Sequence, residues 1–81
     1  MTRSQPGPDA SISWVTSETI HFGTTGDGSY FLIVERLPDG VRWDWAAWRQ
    51  DLPEHSRAGS APSEAVAMAE AEFAITEMDL T

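Results

Sequence analysis

Apolar and polar positions alternate in two β-rich runs, residues 30–37 and 41–49, within the stretch YFLIVERLPDGVRWDWAAWR. Pro38, Asp39 and Gly40 separate them. Proline presets φ for the second position of a type I turn, Asp suits the third, and Gly accepts the left-handed bulge position, so the pattern predicts a β-hairpin. A three-residue loop pairs Glu35 with Trp43 and Ile33 with Trp45, whereas a two-residue Asp39-Gly40 turn sets Glu35 opposite Asp44. Like charges facing across a ladder are unfavourable, so the first register is expected. Period-2 alternation then gathers Phe31, Ile33, Leu37, Val41, Trp43, Trp45 and Ala47 on the face expected to receive a helix. Tyr30, Leu32, Val34, Ala46 and Trp48 share the other face with Arg36, Arg42 and Asp44.

Upstream, Ile12 and Trp14 alternate in phase, as do Ile20 and Phe22, which predicts one bent strand or two short ones. The Gly-rich loop 23–29 then closes an antiparallel hairpin onto residues 30–34 and leaves residues 30–37 in the middle of the sheet. After Trp48 the chain turns polar, and Pro53 argues against a central strand. Residues 56–60 are expected to add a short edge strand. The segment APSEAVAMAEAEFAITEM is dense in helix formers and predicts a helix over 62–78, with Pro62 at the first helical position, Ser60 or Ser63 as cap, and Glu64 in the first turn.

That helix carries two apolar seams. Val66, Ala69 and Phe73, continued by Thr76 and Leu80, form one; Met68, Ala71, Ile75 and Met78 form the other. The first is expected on the sheet, with the second as the alternative. Glu70 and Glu72 lie about 160° apart at ~100° per residue and are expected to face solvent. The predicted fold is therefore α+β: an antiparallel sheet of three to four strands with one C-terminal helix packed on one face. Residues 1–10 are expected to be a loose Pro- and Gly-containing tail, and residues 11–81 a single domain.

The order of strands and the helix opening Gly59-Ser60-Ala61-Pro62-Ser63-Glu64-Ala65 resemble small β-β-β-α modules such as HicB-type antitoxin domains. The resemblance covers about a quarter of the chain and implies only the architecture. The DNA-binding appendage usual in that family has no counterpart here, and no function is carried over.

Composition narrows the chemistry. The 81 residues contain no cysteine, so disulfides, thiolate metal sites and thiol nucleophiles are excluded, which fits a cytoplasmic location. The first ten residues lack the apolar run of a signal peptide, and no segment has membrane-spanning length. Thirteen acidic residues stand against five basic ones, all arginines, for a net charge of −8. Direct nucleic-acid binding needs a positive footprint that this chain lacks. A basic protein partner is electrostatically allowed; net charge that serves solubility is the commoner case.

Motifs add little. The Gly-rich loop lacks the Lys and following helix of a phosphate-binding loop. His21 and His55 have no second ligand at metal spacing, and His21 is expected on the more polar face of its strand. Trp14, Tyr30, Trp43, Trp45 and Trp48 concentrate aromatic surface; Trp43 and Trp45 are expected in the core, whereas Trp48 shares a face with Tyr30 and Leu32. These observations point to a non-enzymatic protein-interaction module without metal or cofactor, docking another protein or itself as a homodimer. The expected interface comprises Tyr30, Leu32, Val34, Trp48, Met68 and Ile75. A small-ligand or sugar-binding domain using the Trp-rich sheet face is the alternative, and an enzyme using His21 or His55 with a nearby carboxylate a third reading.

Overall fold

In a computed structural model that describes residues 12–79, five strands precede one helix: β1 (Ile12–Thr16), β2 (Ile20–Thr25), β3 (Tyr30–Arg36), β4 (Trp43–Arg49), β5 (Leu52–Ala61) and α1 (Glu64–Asp79). Each strand pairs antiparallel with the next, giving the order β1-β2-β3-β4-β5 with β3 at the centre. The helix crosses one face over β3, β4 and β5. The class is α+β, with five strands rather than three or four. Two features add the difference. A tight turn separates β1 from β2, where Ser17 donates to the Ile20 carbonyl through both its backbone N (3.0 Å) and its Oγ (2.8 Å). In addition, β5 begins at Leu52 and runs through Pro53, which an edge strand tolerates. The expected tail 1–10 lies outside the described residues.

The central hairpin adopts the register that the charges argue against. Glu35 faces Asp44, Val34 faces Trp45 and Leu32 faces Ala47. Leu37 N donates to Arg42 O (2.8 Å) and Gly40 N to Leu37 O (2.9 Å), so the loop spans the four residues 38–41. Gly40 takes φ +75°, and Asp39 Oδ1 accepts from Val41 N (2.8 Å) and Arg42 N (3.1 Å). A slip of one residue moves a whole strand to the opposite face. Tyr30, Leu32 and Val34 (6, 1 and 0% exposed) are therefore beneath the helix with Trp43 and Ala47, whereas Phe31 and Ile33 lie on the open face.

Magnitudes explain the choice. The like-charge pair is exposed at the sheet surface, where such pairs weigh no more than ~1 kcal/mol. This register places Tyr30, Leu32 and Val34 of β3 under the helix, and burial of each such large side chain contributes about 1.5–3 kcal/mol. The hairpin tip gains no cover in either register, since Val41 is 65% exposed.

At the helix start Ser63 is the N-cap: its Oγ accepts from Val66 N (3.3 Å), and its carbonyl accepts the first helical bond from Ala67 N (3.0 Å). Pro62 thus precedes the helix instead of opening it. The buried residues of α1 are Ala67, Ala71, Ala74, Ile75 and Met78, with Met68 half-buried against them. The alternative seam faces the sheet, and Phe73 of the expected seam is 62% exposed. The sheet supplies the bulk, in Trp14, Tyr30, Trp43 and Trp45, so the alanine-rich side of the helix is the one that packs closely. Leu80 lies outside the described residues. Among these residues no helix is long and apolar enough to cross a membrane.

The two long hairpin loops are closed by carboxylates. Asp27 Oδ1 accepts from Ser29 N and Thr25 Oγ1 (both 2.9 Å), as Asp39 does from Val41 and Arg42. Hydrogen bonds from these backbone amides hold both carboxyls below their ordinary value of 3.8. A lowered folded-state pKa stabilises above the unfolded value and is lost as pH falls through the folded one. Thermal unfolding followed from pH 6 to 2 should show the midpoint falling below about pH 4. The double variant Asp27→Asn/Asp39→Asn should flatten that fall; an unchanged profile would contradict the assignment.

Candidate functional site

The aromatic residues of the helix-side face carry polar tips, and the helix supplies their acceptors. Trp14 Nε1 donates to Glu72 Oε2 (2.8 Å) on one flank, and Trp45 Nε1 donates to Glu70 Oε1 (2.9 Å) on the other. Tyr30 Oη reaches Asp79 Oδ1 at 3.5 Å, and burial together with the Asp79 carboxylate pushes its hydroxyl pKa up. Glu70 and Glu72, expected to be merely solvated, are thus tied to the sheet on opposite sides of α1. Arg57 of β5 adds a fourth link, Nη1 to Glu77 Oε1 (2.9 Å), which places a cation beside the acidic end of a helix whose last turn has no basic residue.

Both indoles lie over glycines. Trp14 pairs across the ladder with Gly23 and Trp45 with Gly59, and a Cβ built on either glycine would stand 3.0–3.1 Å from ring atoms. A larger residue at either glycine requires the ring to give by a few tenths of an ångström.

His21 is placed differently from expectation. It pairs with Val34, faces the helix and is 2% exposed, with its ring stacked on Trp43 at 5.5 Å between centroids and 8° between planes. Its Nε2 meets the Glu64 carboxylate in the first helical turn, and its Nδ1 has no hydrogen-bond partner among the described residues. His55 lies on β5, three strand spacings across and four residues along from His21, roughly 20 Å away by sheet geometry. The two histidines do not converge. Among the described residues, no group of three or more His, Asp or Glu is arranged to hold a metal ion.

The six expected interface residues separate. Tyr30, Leu32, Val34 and Ile75 belong to the core, Met68 packs against it, and Trp48 lies half-buried on the opposite side of the sheet, edge-to-face with Phe31 at 6.0 Å. Trp48 is the one that faces away from the helix. The reversal follows directly from the one-residue register slip. Trp43 and Trp45 point to the helix side as expected, and Trp14 joins them there, so the open face carries no Trp-rich platform.

What the open face carries instead is an unbroken apolar row. The pairings Val15–Phe22, Phe22–Ile33, Ile33–Ala46 and Ala46–Ala58 run straight across all five strands. Val15 is 74% and Phe22 51% exposed. A parallel row contains Phe31 and Trp48, and a third pairs Glu35 with Asp44. Sequence reading missed this row because it assigned Phe31 and Ile33 to the core; the alternation of Ile20 and Phe22 was the available signal. A second apolar concavity, about 590 Å³, runs along the helix flank between Val66, Ala69, Phe73 and Trp45, with Arg57, Glu70 and Glu77 on its rim.

No protein-family profile matches this chain, and no curated protein or solved structure matches it.

Seating of the indoles makes a stability prediction. Gly59→Ala should cost roughly 1–3 kcal/mol in urea unfolding, as overpacking does. Ala58→Ser, one residue away on the open face, should stay within about 0.5 kcal/mol. Equal midpoints for the two variants would show that the ring does not rest on Gly59.

Proposed function

We propose that this chain is a non-enzymatic protein-interaction module whose docking surface is the open face of the sheet. One observation carries the reading: the apolar row from Val15 to Ala58 lies on the face that α1 does not cover. Antiparallel sheets with a wet face alternate apolar-in and polar-out. Here Phe22 and Val15 are exposed where that alternation calls for polar residues, and contiguous exposed apolar surface of this kind marks interaction sites. The partner is another protein or a second copy of the chain.

An apolar small ligand held in the helix-flank concavity is the second reading, favoured by the exposed Phe73 and Val66 that line it. Nile red, a neutral dye sensitive to apolar surface, separates the two. On the main reading Phe22→Ser reduces dye binding several-fold while Phe73→Ser leaves it intact, and both variants keep their unfolding midpoints. Loss with Phe73→Ser alone would transfer the function to the concavity, and no loss with either would remove both readings. Light scattering on a size-exclusion column at micromolar concentration decides the homodimer form: a mass near 8.9 kDa excludes it.

A further inference from the structure

The open face is not uniformly apolar. At one end Glu35 and Asp44 stand directly opposite each other across the ladder, both exposed. Among the described residues neither has an ion pair or a hydrogen bond from a side chain, although Arg49, Arg57 and His21 all meet carboxylates elsewhere. Beside them the sheet surface dips into a hollow of about 470 Å³ bordered by Ile33, Ala46 and Ala58. Its floor is methyl groups and its end is two carboxylates.

We infer that this face docks a basic segment of another protein, with a Lys or Arg whose aliphatic stem lies along Ala46 and Ala58 and whose charged head sits between Glu35 and Asp44. The inference rests on the reading of the open face as a docking surface. Long basic side chains place apolar stems on apolar surface while their heads stay near water or a counter-charge. A cation there also relieves the like-charge opposition that this register builds into the ladder.

A second copy of the chain fits the face poorly. Among the described residues the exposed positions of the open face include no Arg, and the chain contains no Lys. In a face-to-face pair with its two-fold axis along the strands, acid pair meets acid pair. With the axis across the strands, the carboxylates come down on Phe31 and Trp48. Neither arrangement supplies a cation, and copies of charge −8 repel at long range. Area points the same way. Five strands ~4.8 Å apart and three rows ~6.8 Å apart give a patch on the order of 500 Å². Stable interfaces use about 800 Å² per partner, so the patch suits a transient docking contact.

The test is a titration of the full chain with a short labelled peptide of alternating Leu and Lys, read by fluorescence anisotropy, beside its Leu/Glu counterpart. We expect saturable binding of the Leu/Lys peptide only, weakened about fivefold or more by Asp44→Lys. Glu54→Lys, which changes net charge equally but lies on β5 outside the hollow, should change it less than about twofold. Equal weakening by the two variants would mean diffuse attraction and overturn the basic-partner inference while leaving the open face as a docking surface. Affinity that survives Phe22→Ser would instead remove the docking surface itself. A dimer in light scattering that Asp44→Lys leaves intact and Phe22→Ser disperses would assign the face to a second copy and overturn the inference as well.

Discussion

The structure depends on how the helix is held to the sheet, by two indole N–H groups that reach up on either side of it. Trp14 and Trp45 each lie over a glycine of the neighbouring strand and each donate to a glutamate of α1, at 2.8 and 2.9 Å. The arrangement sets the height and the rotation of the helix together. Rotated so that Phe73 faced the sheet, α1 would carry Glu70 and Glu72 to opposite flanks, each away from the indole it now meets, and bring a large ring onto a surface already filled by tryptophan and tyrosine. The alanines at 67, 71 and 74 are what allow a helix to lie this close. Exposed hydrogen bonds to a charged acceptor are individually modest. They fix the helix once its alanine-rich seam is seated on the sheet.

Much of the architecture was legible in the chain. The 30–49 hairpin, the central place of β3 and a helix with Glu64 in its first turn all follow from turn chemistry, alternation and capping. What the chain did not disclose was which side of each element faces inward. Hairpin, second hairpin and helix all have apolar residues on both sides, and period alone cannot rank two apolar faces. The deciding terms were tertiary: the polar tips of Trp and Tyr needed carboxylates, and the large rings needed Gly23 and Gly59 opposite. Glu35 facing Asp44 is unfavourable, but in water it is a small term beside the burial of Tyr30, Leu32 and Val34. The expected interface therefore named four residues that the fold consumes internally, and only Trp48 among the six faces away from the helix.

That inversion leaves a simpler surface than the sequence suggested. Phenylalanine and aliphatic residues without polar tips were relegated to the face that no helix covers, where Val15, Phe22, Ile33, Ala46 and Ala58 form one row. A local arrangement that breaks a general rule without visible gain within the subunit is a reasonable place to look for a partner. The open face breaks two such rules, exposed apolar continuity and opposed like charges, and a basic and apolar partner resolves both.

The fold and its open face both turn on which side of the sheet lies beneath α1. The chain has no native cysteine, so single cysteines report their own accessibility. With cysteine placed at Phe22 in one variant and at Val34 in another, thiol labelling of the folded protein should be fast at position 22 and protected at position 34, since Phe22 is 51% and Val34 0% exposed. Protection at 22 with rapid reaction at 34 would mean that the helix covers the other face, and the account would be wrong at its root.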